Sequence, residues 1–191
     1  MDKVFLTDVD DCLFAWNDAF VEWMQQFQYI PVEHPEREWV ISDKFTNLPE
    51  KEAEEFLQRF NTSAKQGFMP PKRDSVEWVN KLIKEGWKFI AITSVTDDPN
   101  VYKLRKMRIE ELFPGGLIKL HCLPLHYGKK ECLAQYADGE YYWIEDKFIN
   151  AEIGLQYNMK PLLLAHEYNR VENSNIPRVR NWEEIYGILN Q

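Results

Sequence analysis

The sequence is short of cysteine, of positive charge and of long apolar runs, and each shortage removes a class of protein. The three cysteines, Cys12, Cys122 and Cys132, are an odd and sparse set. They suit a reducing compartment better than a disulfide framework. Lys and Arg number 23 against 31 Asp and Glu, a formal net charge of −8. Broad binding to a nucleic-acid polymer needs clustered basic groups, so no such partner is expected. No apolar stretch approaches the roughly 20 residues of a membrane span, and the N-terminus lacks the basic and apolar regions of a signal peptide. A cytoplasmic protein without a membrane partner is expected. With 45% hydrophobic residues, the 191-residue chain can fill one sizeable core and a small inserted module, but not two large domains.

What is present begins at Val4–Leu13, VFLTDVDDCL. Val4, Phe5 and Leu6 read as a buried parallel strand, and Asp8, Asp10 and Asp11 crowd three carboxylates at its end. Carboxylates so close repel one another unless a cation or shared protons intervene, and a hard divalent ion such as Mg²⁺ is the natural partner. Taken alone, the stretch also fits an acidic turn in which one Asp caps a helix.

Trp16, Phe20, Trp23 and Phe27 then recur at helical spacing, and a second helix is expected from about Pro49 to Phe60. No strand alternation lies between them, so residues 14–72 read as a small helical insert whose exit is marked by Pro70 and Pro71. Beyond it the chain alternates regularly. Asp74 and Glu77 suggest a capping box that opens a helix ended by Gly86. Strands are expected at Trp87–Thr93, Leu117–Leu123, Tyr141–Ile144 and Pro161–Ala165. Helices are expected after Asp98-Pro99 and at Lys129–Ala137, Ile149–Tyr157 and Trp182–Leu189. Glu167–Pro177 reads as a long polar loop. The alternation implies an α/β fold, a parallel sheet with helices on both faces.

Ligands of such sheets sit at the carboxyl ends of the strands. Those ends carry Asp8 and Asp10, then Thr93 and Ser94, then Glu145 and Asp146. Lys129 and Lys130 open the helix before the fourth strand. Individually each has a plainer reading: a strand end, a solvated lysine, a turn. Jointly they suit phosphoryl transfer from a phosphomonoester. One carboxylate attacks phosphorus, a second protonates the leaving oxygen, and hydroxyl, ammonium and Mg²⁺ hold the phosphoryl oxygens. His121, Cys122 and His126 fit no compact zinc pattern.

In this order the groups resemble those of the haloacid dehalogenase (HAD) superfamily, whose first motif is an apolar strand followed by Asp-x-Asp, and the resemblance covers nearly the whole chain. It implies a Rossmann-like core of residues 1–13 and 73–191, with 14–72 as a helical cap inserted after strand one. It makes Asp8 the nucleophile that forms an aspartyl-phosphate and Asp10 the general acid and base. Thr93 is the hydroxyl of the second strand, in IAITS, and Ser94 its helper. Lys129 is the family lysine, in KKECLAQYA, with Lys130 the alternate. In WIEDKFIN, Asp146 is the metal-binding acid, Glu145 its acidic neighbour and Asn150 a residue of the metal shell. The implied Mg²⁺ ligands are Asp8, the Asp10 carbonyl and Asp146. Asp10 favours phosphatases over true dehalogenases. Asp11 and Cys12 depart from the family's usual Gly and Thr or Val. The extra charge and backbone angle bear on rate and optimal pH, and Cys12, beside acids, is read as packing.

Within the superfamily the chain is similar to 5′(3′)-deoxyribonucleotidases, from the cap's place, the strand ends and the closing Val179–Ile185 segment. A small phosphorylated substrate is implied, a (deoxy)nucleoside monophosphate first. Trp16, Phe20, Trp39, Phe45 and Phe68 are the candidate base-contacting residues, since flat faces suit a nucleobase. A sugar phosphatase or phosphomutase is the alternative. A non-catalytic phosphate binder or a receiver-like phosphoacceptor ranks below both, because receivers place the accepting aspartate on a middle strand and have no insert after the first.

Overall fold

The computed structural model describes residues 3–170 and 174–191. Its strands are β1 (Val4–Thr7), β2 (Lys88–Ser94), β3 (Leu117–Leu123), β4 (Tyr142–Glu145), β5 (Lys160–Leu164) and β6 (Arg178–Val179). They form a single parallel sheet in the order β3-β2-β1-β4-β5-β6. Phe89-Ile90-Ala91-Ile92 of β2 is buried throughout, as a strand covered on both faces must be. Successive side chains point to opposite faces. Phe5 and Phe89 therefore pack with Val79, Leu82, Ile109, Trp182 and Ile185 on one side, and Leu6, Ile90, Ile92 and Trp143 with Cys132, Leu133 and Met159 on the other. Trp182 is buried and donates its indole N–H to Cys12 O at 2.9 Å, so it braces the turn that follows β1. Truncating such a residue to Ala costs about 3–5 kcal/mol.

The helices are α1 (Trp16–Gln25), α2 (Glu50–Asn61), α3 (Ser75–Lys84), α4 (Pro99–Leu112), α5 (Lys130–Ala134), α6 (Phe148–Leu155) and α7 (Trp182–Leu189). No helix among the described residues is long and apolar enough to cross a membrane. The aromatic stripe of α1 is the packing seam between α1 and α2. Trp16 stacks on Phe20 at 5.1 Å, and Phe60 meets both edge-on. Phe27 lies just past the end of α1 and packs on Trp23 at 4.8 Å. The chain leaves β1 and returns before α3 along two adjacent segments. Ala15 N–H donates to Pro70 O at 2.9 Å, and Lys72 N–H donates to Leu13 O at 2.8 Å.

The structure departs from the sequence expectation in several places. The Asp74 side chain makes no cap for α3. It accepts instead from Trp182 N–H and Glu183 N–H, 3.2 and 3.0 Å away, at the start of α7, because α3 and α7 pack together and its carboxylate faces the free donors of its neighbour. The helix expected over Lys129–Ala137 is only five residues long. Two-residue β6 was not anticipated, having no room for an alternation pattern. The polar loop expected at Glu167–Pro177 holds a 3₁₀ turn, Glu167–Asn169, while 171–173 of that span lie outside the described residues.

Candidate active site

β1 sits centrally, with β2 on one side and β4 on the other. Connections leave it in both directions, so a crevice opens at the carboxyl ends of β1, β2 and β4. A cavity of ≈ 730 Å³ occupies this place, within the usual range for small-molecule sites. Its floor includes Asp8, Asp10, Ser94, Lys129, Asp146 and Asn150, and its walls include Trp16, Asn17, Trp39, Ile41, Leu57 and Leu125.

Asp8 is 5% exposed and tightly oriented. Its Oδ1 accepts from Val9 N–H at 2.7 Å and lies 2.7 Å from Lys129 Nζ. Lys129 Nζ also donates to Glu145 Oε2 at 2.8 Å. Burial opposes the lysine's charge, but the Asp8 and Glu145 carboxylates more than offset it and hold its proton tightly. Glu145, expected as an acidic neighbour of the metal site, is fully buried and its other oxygen accepts from Asp146 N–H and Lys147 N–H, both at 3.0 Å. It anchors the lysine and the turn after β4.

Asp146 completes the floor. Its Oδ2 accepts from Tyr168 O–H at 2.6 Å, while Oδ1 is buried without a partner among the described residues. Single oxygens of Asp8 and Asp146, with the Cys12 sulfur, lie within 4.8 Å of one another. Burial drives the Asp8 carboxyl up to about 7 against the pull of Lys129. Burial, and then the charge of Asp8, raises Asp146 to about 7 as well. Two such carboxyls need either shared protons or a cation, and an orphaned buried carboxylate oxygen is the donor a hard ion takes. Mg²⁺ therefore fits Asp8 and Asp146. Cys12 does not belong to that donor set, since burial pushes its thiol well above its usual value and hard ions take oxygen.

Asp10 is held differently. Both carboxylate oxygens accept from the Arg105 guanidinium, Oδ2 at 3.0 Å from Nη1 and Oδ1 from Nη2, and Thr93 O–H donates to Oδ2 at 2.9 Å. Thr93 is fully buried and is not part of the cavity lining, whereas Ser94 is. Ser94 O–H donates to Tyr127 O at 2.8 Å. Of the two hydroxyls expected at the end of β2, Ser94 thus borders the cavity and Thr93 braces Asp10.

Asp11 has φ 57°, a left-handed angle natural to Gly and tolerated by Asp. Its carboxylate takes Lys72 Nζ at 3.2 Å and the Asn17 side-chain amide, tying the outgoing segment to the returning one. Burial, opposed by Lys72, raises its carboxyl to about 6. His166 Nε2 donates to Asp11 O at 2.9 Å, and burial keeps this imidazole neutral, with its pKa lowered to about 3.

The remaining expected residues divide. Trp16 and Trp39 line the cavity, as does Asn150. Phe20 and Phe45 are buried in the aromatic seam, and Phe68 is exposed on the surface and outside the lining. Lys130 is exposed, one residue past the buried Lys129. Trp39 packs against Tyr168 at 5.3 Å and carries Lys147 Nζ over its ring at 4.7 Å. Arg105, Tyr168, Lys72 and His166 were not singled out by sequence. Arg105 did leave a signal, because it sits four residues from both Val101 and Ile109 on the buried stripe of α4. Tyr168 left none, since an irregular segment has no periodicity to break.

No protein-family model matches the chain. It is similar to an uncharacterized 32.4 kDa protein of Enterobacteria phage T4, with 24% identity over 97% of this chain and 69% of that protein. Among solved structures it is similar to one described as the HAD-hydrolase YfnB of Bacillus subtilis bound to magnesium, with TM-score 0.65, 15% identity, and 99% of each chain covered. It is also similar to D,D-heptose 1,7-bisphosphate phosphatase of B. bronchiseptica complexed with magnesium and phosphate, with TM-score 0.59, 12% identity, and 99% and 98% covered. Structures described as a β-phosphoglucomutase and a haloacid dehalogenase share the same fold.

Proposed function

We propose that this chain, which has the fold of the haloacid dehalogenase-type hydrolases, is a Mg²⁺-dependent phosphomonoester hydrolase that works through an aspartyl-phosphate on Asp8. The observation that carries the reading is the floor of the cavity. It combines an oriented carboxylate bonded to a buried lysine with a second aspartate two residues on and a third that has a bare buried oxygen. Residues 14–72 form the cap in this reading, with 1–13 and 73–191 as the core.

Lys129 and Val9 N–H both hold Oδ1 of Asp8, which fixes the carboxylate plane and leaves Oδ2 as the attacking atom. Oδ2 bonds phosphorus as the ester P–O bond breaks, and Asp10 in its acid form gives its proton to the departing oxygen. The resulting Asp10 carboxylate then takes a proton from the water that attacks the phosphoryl group, which frees Asp8 and restores the acid. Lys129 holds a phosphoryl oxygen with its third N–H, and Ser94 holds another once its hydroxyl turns from Tyr127 O. Asp8, the Asp10 carbonyl and Asp146 Oδ1 would hold Mg²⁺, with Asn150 nearby, and the ion when bound supplies the positive charge that offsets the crowded oxygens.

For the leaving group, Trp16 and Trp39 in the wall support a nucleobase and hence a (deoxy)nucleoside monophosphate. The same wall carries Asn17, Ser42 and Asn61, which support a sugar phosphate as the second reading. The test compares specificity constants for deoxynucleoside monophosphates and for hexose and triose phosphates under one metal and pH. A consistent preference for sugar phosphates overturns the nucleotidase reading and leaves the hydrolase reading intact.

A further inference from the structure

Arg105 is a fully buried cation in the middle of α4, and it makes no salt bridge except to Asp10 among the described residues. Its Nη1 donates to both Asp10 Oδ2 and Thr93 Oγ1, each at 3.0 Å, and its Nη2 donates to Asp10 Oδ1. Its Nε is buried without a partner among the described residues. Burying a guanidinium is costly unless it is fully bonded, so a group left partly unsatisfied yet doubly bonded to one carboxylate is placed for that carboxylate. The Phe14 ring, 5.8 Å from the guanidinium carbon, closes another side. Val101 and Ile109, one turn before and after on α4, are buried apolar residues that fix the helix against the sheet. The fork is therefore rigidly mounted, and Thr93 adds a third donor to the same carboxylate.

We propose that Arg105 is the positioning residue for the acid–base aspartate, acting through Asp10 by holding both oxygens of its carboxylate in one fixed plane. The inference rests on the hydrolase reading above. In the first half-reaction the proton of the Asp10 carboxyl passes to the leaving oxygen as the P–O bond breaks, and a carboxylate remains. The bonds that Arg105 and Thr93 make to both oxygens are those of that ionised carboxylate, so they hold it in place as the charge develops, while the acid form that precedes it keeps fewer of them. In the second half-reaction the same carboxylate takes the proton of the attacking water, and the fork fixes its position while it does so. The benefit is selective. An alkoxide leaving group cannot depart without a proton, whereas an activated aryl oxide can, so loss of the fork has to show in how the rate depends on the leaving group.

The experiment measures kcat/KM for an alkyl phosphate and for p-nitrophenyl phosphate, with Mg²⁺, in the wild type, Arg105→Lys and Arg105→Met. Turnover of p-nitrophenyl phosphate by the wild type upholds the hydrolase reading separately, and its absence overturns both. For Arg105→Met the alkyl phosphate should lose about 100-fold and the aryl phosphate less than about tenfold. Arg105→Lys keeps the buried cation but cannot bridge both oxygens, so it should show the same selectivity with a smaller loss. It decides the matter should the Met variant fail to fold, as judged by circular dichroism. Equal losses on the two substrates, or no loss on the alkyl ester, would overturn the assignment, because a merely structural arginine lowers both alike.

Discussion

Tyr168 donates its hydroxyl to one oxygen of Asp146 at 2.6 Å and leaves the other oxygen bare and buried. Tyr168 is itself held, stacked on His166 at 4.9 Å and packed against Trp39. The tyrosine thus fixes which way the carboxylate turns. Tyr168→Phe should lower Mg²⁺ affinity about tenfold or more, as loss of outer partners of metal ligands does. Titration calorimetry checks it on the free protein, and unchanged affinity would remove Tyr168 from the account.

The same two carboxyls set a pH dependence. Asp8 and Asp146, each raised to about 7 by burial, hold protons more tightly folded than unfolded. Without a cation, their contribution to stability is full below the unfolded carboxylate range near 4 and is lost as pH rises through about 7. A bound cation needs both ionised, so Mg²⁺ should raise the Tm far more at about pH 8 than at about pH 5.5. An equal rise at both would contradict the pairing.

How much of this was legible in the sequence depends on where each residue sits. Asp8, Asp146 and Lys129 stand at the ends of periodic elements, so their place followed from counting strands. Trp182–Leu189 and Leu117–Leu123 matched the structure residue for residue, because each is a closed apolar pattern between breakers. The resemblance put Thr93 first and Ser94 second, whereas Thr93 is turned onto Asp10 and Ser94 borders the cavity, because successive side chains of β2 face opposite ways and the sequence does not say which way the cavity lies. The aromatic residues of 14–72 could not be sorted into seam and cavity wall, because α1 and α2 pack by tertiary contact and not by any local signal. Arg105 was visible only as a charge on a buried stripe, which sequence alone reads as a solvated face.

Lys129 and Lys130 are separated by burial. Lys129 is 3% exposed and pairs two carboxylates, so Lys129→Met leaves both unpaired and should cost about 3–5 kcal/mol of stability as well as nearly all turnover. Lys130→Ala, on an exposed side chain, should change neither. Denaturant unfolding and steady-state rates check both, and the reverse ranking would move the lysine assignment one residue on.

His166 makes a contribution of opposite sign to pH. Buried and neutral, it takes a proton only near pH 3 in the folded chain, against about 6.5 when unfolded. Between those values the unfolded state binds the extra proton, so stability falls as pH drops, by an amount on the order of a few kcal/mol. His166→Asn should flatten that limb in urea unfolding followed from about pH 7 to 4, and an unchanged slope would show that the imidazole titrates freely.

The aspartyl-phosphate on Asp8 is tested most directly by quenching the enzyme in acid during turnover of p-nitrophenyl phosphate with Mg²⁺ and mapping the phosphoryl group by mass spectrometry. One phosphoryl group is expected on the peptide spanning Asp8, absent in Asp8→Asn and absent when a chelator is in excess. Turnover that persists in Asp8→Asn, or a phosphoryl group carried on any other residue, would contradict it.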